Sequence, residues 1–169
     1  MPRVVLGIDP GTASTGYGAV IEEAGKLRFL AGGVIKTSSE TPMPDRLVMI
    51  HDQLEEVIST IKPDMAAVET IYFNSNQKSA VQVAQARGVA IMTCRKLGVE
   101  VAELTPLQVK MALCNAGRAD KQQVEYMVRL LLNLKEVPKA HHTSDALAMA
   151  ITLIHTNLEL KRTVMGVSR

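Results

Sequence analysis

At 169 residues the chain is long enough for one domain that buries roughly two-thirds of its unfolded surface, and nothing requires a second. Lys and Arg number 19 against 17 Asp and Glu, a net charge of +2, so bulk charge announces no nucleic-acid partner and charge placement has to decide. Cys94 and Cys114 lack CxxC or histidine spacing, which excludes a disulfide framework and a zinc finger; with no signal peptide and no apolar run of 18 residues, a soluble cytoplasmic protein without a membrane anchor is expected.

The chain opens on an apolar run, Val4 to Ile8, that ends in Asp9 and is followed at once by Pro10 and Gly11. Pro10 lacks an N–H, and Gly11, Gly16 and Gly18 are read as permitting a sharp reversal, so a strand ends on Asp9. Tyr17–Ile21, Leu27–Ala31 and Gly33–Thr37 read as extended pieces joined through a turn at Gly25, an antiparallel meander. From Asp45, apolar residues at Leu47, Ile50, Leu54, Val57, Ile58 and Ile61 recur every three or four positions, a helix stopped before Pro63. Met65–Val68 is a short apolar strand ending in Glu69. A helix from about Gln77 to Lys96, a strand over Val99–Leu104 and a helix N-capped by Thr105 with Pro106 first come next. Asn115–Arg118 breaks the pattern, a helix from about Asp120 to Asn133 follows, and after Pro138 a final helix covers roughly His141 to His155. The weakly patterned tail, 157–169, is expected to be mobile, leaving 1–156 as the domain. The whole is an α/β domain with a central five-stranded mixed sheet flanked by helices, its first and fourth strands parallel neighbours.

Asp9 and Glu69 then share the C-terminal edge of the sheet, where open α/β sheets place their ligands. Helical spacing puts His142 and Asp145 on one face of the last helix, with Leu147, Ile151 and Ile154 turned to the sheet. Three carboxylates and an imidazole drawn together repel one another unless a cation intervenes, and oxygen ligands shared with a phosphate suit magnesium. Each piece also has a plainer reading: Asp9 as a turn cap, His142 and Asp145 as a solvated helix start. A stripe of small residues, Ala80, Ala84 and Gly88, serves either a partner helix or packing on the chain's own sheet.

The ordered set Gly7-Ile8-Asp9-Pro10-Gly11, Thr15-Gly16-Tyr17-Gly18, Val68-Glu69, Gln85-Ala86-Arg87-Gly88-Val89-Ala90 and Asp145-Ala146-Leu147-Ala148-Met149-Ala150 resembles the RuvC family of crossover junction endodeoxyribonucleases, over nearly the whole chain up to His155. The resemblance implies a ribonuclease H-like fold, a homodimer, and paired symmetric nicks in four-way Holliday junction DNA during recombination and repair, leaving 5′-phosphate and 3′-hydroxyl ends. It also implies two magnesium ions per site, with manganese as a substitute, and a branch-migration complex of the RuvA and RuvB type as partner. Residue by residue, the catalytic and metal site becomes Asp9, Glu69, His142 and Asp145. The commonest family pattern has an aspartate where His142 stands. An imidazole ligates a metal only when neutral, so cleavage is expected to weaken below roughly pH 6.5.

The DNA-binding residues the resemblance implies are Tyr72, Phe73, Lys110, Arg118 and Lys121. Lys110 and Lys121 would neutralise phosphates, Lys121 also stabilising charge that develops during cleavage, and without the resemblance each would be read as part of a solvated helix face. One of Tyr72 and Phe73 would stack on an unpaired base, core packing being the alternative for either ring. Arg87 serves either structure or a phosphate, and the sequence assigns neither. The opening Gly7–Thr12 motif also resembles the first phosphate loop of actin-like ATPases and sugar kinases, but the second lobe and second loop are lacking. A module that binds branched DNA without cutting it is the remaining alternative.

Overall fold

The computed structural model describes residues 2–70, 77–136 and 141–164. Three antiparallel strands open it: β1 (Arg3–Asp9), β2 (Ser14–Glu23) and β3 (Lys26–Lys36). The β2–β3 turn places Ala24 and Gly25 at φ 51 and 78, the left-handed pair that suits the twist of a two-residue hairpin. The two extended pieces expected after this turn form one strand. A bulge opposite Ala19 and Val20 takes up the extra residue Leu30, and pairing resumes on either side. Gly16 and Gly18 are not part of the reversal either; they lie inside β2, paired with Asp9 and Gly7.

Helix α1 (Met43–Ile61) carries Pro44 in its first turn, where a missing N–H costs nothing, and ends on Lys62 at φ 51 with its N–H bonded to the Ile58 carbonyl. β4 (Met65–Glu69) runs parallel to β1, α2 (Gln77–Lys96) follows, and β5 (Glu100–Leu104) is parallel to β4. Helices α3 (Pro106–Cys114) and α4 (Lys121–Leu131) are both started by capping boxes, Thr105 with Gln108 and Asp120 with Gln123. Helix α5 (His141–Val164) is longer than the periodicity suggested: no proline or glycine occurs between His155 and Val164, so nothing stops it.

The five strands are ordered β3-β2-β1-β4-β5, the mixed sheet expected from the sequence. Alternation along β1 splits the core into two layers. Val5 faces a cluster with Leu113, Val128, Leu147 and Ile151 from α3, α4 and α5, while Leu6 and Ile8 face Ile50, Leu54 and Ala86 from α1 and α2. Each fully buried aliphatic side chain contributes about 1.5–3 kcal/mol. Burial on both faces explains why β1 and β4 read as unbroken apolar runs.

Candidate active site

The last paired residues of β1 and β4 are Ile8 and Val68, so Asp9 and Glu69 come one step later on neighbouring parallel strands. Their side chains leave the same face of the sheet as Val5, Gly7 and Ala67, the face covered by α5. The helix sits unusually low there. A Cβ added to Gly7 would stand 1.7 Å from the Ala146 carbonyl oxygen, and one added to Gly16 would stand 2.6 Å from the Cβ of His142. The absence of both methyl groups lets the first turns of α5 rest on strand backbone, and Thr143 fastens the contact by donating from its hydroxyl to the Gly33 carbonyl at 3.1 Å.

His142 and Asp145 are thereby carried to the strand ends. His142 Nδ1 lies 2.7 Å from Asp9 Oδ2, and a neutral ring that donates there presents Nε2 as an acceptor. Asp145 Oδ2 accepts from Lys121 Nζ at 2.8 Å, Lys121 being the first residue of α4. Glu69, Lys110, Lys121 and Asp145 line one open cleft of about 260 Å³, floored by Val109, Val124 and Met149. Burial, followed by the charges of Asp9 and Asp145, pushes the Glu69 carboxyl up to about 7. Burial also raises Asp9, with Asp145 adding to it, against the opposing bond and charge of His142. Burial works against the Lys121 charge, but the bond and charge of Asp145 outweigh it and hold that ammonium above its ordinary value.

Among the described residues no three His, Cys, Asp or Glu side chains are drawn in closely enough to chelate one ion as they stand. Two of the acids are instead engaged, Asp9 by His142 and Asp145 by Lys121. The chemistry of the donor set nonetheless suits a hard divalent cation, because acids that push one another toward protonation are the ones a cation relieves.

The loop after Asp9 is held from within. Thr15, fully buried, donates to the Gly11 carbonyl at 2.7 Å and accepts from the Gly11 N–H. Buried Arg46 of α1 donates from Nε to Thr37 at 2.8 Å, and Thr37 donates in turn to the Thr12 carbonyl. The sequence offered little sign of these supports: Thr15 belongs to a recognisable motif, but Arg46 and Thr37 carry no local signature. Of the expected DNA-binding residues, Lys110 and Lys121 share the cleft, while Arg118 is exposed between α3 and α4. Tyr72 and Phe73 lie outside the described residues. No helix among the described residues is long and apolar enough to cross a membrane.

The family model described as crossover junction endodeoxyribonuclease RuvC matches residues 5–155. The crossover junction endodeoxyribonuclease RuvC of Syntrophomonas wolfei is 47% identical over 152 residues, covering 90% of this chain and 88% of that protein. Among solved structures, Thermus thermophilus RuvC in complex with Holliday junction substrate superposes with a TM-score of 0.87 at 40% identity, over 92% of this chain and 94% of that one. The yeast mitochondrial Holliday junction resolvase, at 15% identity and a TM-score of 0.69 over 94% of this chain and 80% of its own, shares the fold. An acid-ended parallel strand pair, a helix bearing His142 and Asp145 laid across it, and matches that span nearly the whole sequence lead to one assignment: the chain belongs to the RuvC family of crossover junction endodeoxyribonucleases, with the ribonuclease H-like fold.

Proposed function

We propose that this chain resolves Holliday junctions by hydrolysing one phosphodiester bond in each of two symmetric strands, with Asp9, Glu69, His142 and Asp145 as the catalytic and metal-holding residues. The observation that carries this reading is the in-register end of β1 and β4, which sets Asp9 beside Glu69 on the face where α5 brings Asp145. A pair of magnesium or manganese ions, when bound, would supply an activated water and countercharge for the leaving oxygen, giving 5′-phosphate and 3′-hydroxyl ends.

The chain's own residues have separable tasks in this scheme. Lys110 and Lys121, in the same cleft as Glu69, bind backbone phosphate, and Arg118 extends the cationic rim. Lys121 also pairs with the Asp145 carboxylate at 2.8 Å and holds its place until a stronger cation arrives. His142 orients the Asp9 carboxylate through its Nδ1 bond. The apolar wall of Val109, Val124 and Met149 limits water beside the carboxylates and strengthens every charge interaction there. One of Tyr72 and Phe73 stacks on an unpaired base at the crossover.

Two simultaneous nicks require two sites, and a twofold homodimer supplies them. Support for such a face comes from α2, where Gly88 is open and Val81 and Met92 are 55% and 47% exposed on the same side, and from the adjoining helix α1, which exposes Val48 and Met49. In this reading residues 1–156 are the nuclease domain, Ile154 being the last buried core residue among the described side chains. The reading also takes a branch-migration complex of the RuvA and RuvB type as partner. It places the reaction in the cytoplasm, in keeping with two free thiols, the buried Cys94 pushed up to about 12 by desolvation.

The test is a nicking assay on a synthetic four-way junction with magnesium or manganese. Paired, metal-dependent nicks at symmetric positions are expected. Tight junction binding without any metal-dependent cut would make the chain a binding module instead.

A further inference from the structure

Arg87 sits on α2, in the layer behind the sheet, with its side chain only 21% exposed. From there it reaches the end of β4. Its Nε donates to the carbonyl oxygen of Glu69 at 3.0 Å, and its Nη2 pairs with the Glu103 carboxylate on β5. The next residue is secured as well: Thr70 donates its N–H to the Leu104 carbonyl at 2.9 Å and its hydroxyl to the same oxygen at 3.3 Å. A strand's ladder runs out at its last residue, and a rigid planar guanidinium is suited to fix the orientation of the peptide that leaves it.

We propose that Arg87 is a positioning residue for Glu69, holding the Glu69–Thr70 peptide from the far side of the sheet so that the carboxylate stays aimed into the cleft. The inference rests on the nuclease reading above. The two groups act through one Cα: rotation of the Glu69 carbonyl about the backbone swings the carboxylate on the opposite side, and the cation on α2 opposes that rotation. Glu103 serves the clamp rather than the reaction, since β5 alternation turns it, like Val101, to the α2 face. Among the described residues, Nε and Nη2 of Arg87 are engaged by protein groups on the α2 side of the sheet, away from the cleft that holds Lys110 and Lys121, which suits a supporting role.

The experiment compares wild type, Arg87→Ala, Arg87→Lys and Glu103→Gln in the full chain. It reads single-turnover nicking of a four-way junction at saturating protein across a magnesium series, junction affinity by fluorescence anisotropy, and hydrogen exchange at the Thr70 amide. Arg87→Ala is expected to slow nicking by about 10–100-fold at saturation and to raise the magnesium needed for half-maximal rate, as loss of an outer support does. Junction affinity should change less than about twofold, and Thr70 exchange should quicken. Arg87→Lys should recover part of the rate, because an ammonium still reaches the carbonyl, and Glu103→Gln should stay within about threefold of wild type. Wild-type nicking by Arg87→Ala overturns the proposal, as does a loss of junction affinity that matches the loss of rate. If Arg87→Ala fails to fold, Arg87→Met keeps the stem's packing without donors and is judged by the same outcomes; failure of both to fold would assign Arg87 to stability and overturn the proposal. Should wild type itself not nick, the nuclease reading falls, and Thr70 exchange still reports whether Arg87 holds that peptide.

Discussion

Replacing Glu69 by glutamine should stabilise the metal-free protein, although it removes a residue central to the proposed reaction. The Glu69 carboxyl is raised from 4.5 to about 7, chiefly by burial and then by Asp9 and Asp145. The folded state therefore holds this proton more tightly than the unfolded chain, and ionising Glu69 costs folding free energy. The cost is absent below about pH 4.5, grows between 4.5 and 7, and is complete above about 7. Taken whole, the shift amounts to about 3 kcal/mol; solvent screening at a partly exposed carboxylate reduces it to about 1–2 kcal/mol. For a chain of 169 residues this corresponds to a Tm higher by about 2–8 °C for Glu69→Gln at pH 8. The assay is calorimetry with chelator present, at pH 8 and again at pH 4.5, where the gap should close. Added magnesium should narrow the pH 8 gap from the other side, by stabilising wild type more than the variant. An equal or lower Tm for the variant at pH 8 would refute the argument that burial and the neighbouring acids make an ionised Glu69 costly in the absence of a cation.

Asp9→Asn should keep junction affinity and lose nicking by about 100-fold or more, since no phosphate contact is removed while a proposed metal ligand is; normal cutting measured on the four-way junction would contradict the site. Lys121→Met should slow nicking and lower the slope of log affinity against log salt by about 1, as loss of one phosphate contact does; an unchanged slope in a salt titration would argue that Lys121 serves only Asp145. His142→Asp should shift the acid limb of the pH–rate profile if His142 holds the metal as proposed, because a carboxylate then replaces a ligand that binds only when neutral; a superimposable limb would show that the imidazole does not control it. Gly7→Ala should fail to fold or lose about 4 kcal/mol or more, its methyl falling within 1.7 Å of the Ala146 carbonyl, which urea denaturation would check.

Much of this arrangement was legible in the residues because the signals were local. An apolar run that stops at a carboxylate marked both β1 and β4, and Thr105 before Pro106 marked the start of α3, each within a few neighbours. Asp145 was readable for the same reason, through its place on an amphipathic helix. What escaped was decided across the fold. Gly16 looked like a turn residue, yet its missing side chain makes room for a helix that begins more than a hundred positions later. Arg87 had no readable role because its partner is a backbone carbonyl 18 residues away, and a carbonyl leaves no trace in the sequence. The pairing of Lys121 with Asp145 joins two helices whose facing sides only packing defines. The bulge at Leu30 was invisible because pairing register is a property of two strands, not one.

The separation of the Asp9 and Glu69 backbones is inherited from the pair Ile8–Val68 one residue earlier, on parallel strands about 4.8 Å apart, rather than set by the reach of a loop. The proposed catalytic spacing thus starts from a backbone dimension common to every parallel sheet, leaving only the orientation of the two side chains to be held by their neighbours. Heat or denaturant should leave that backbone dimension intact until the sheet itself parts, whereas the partly exposed contacts that aim the side chains can open sooner.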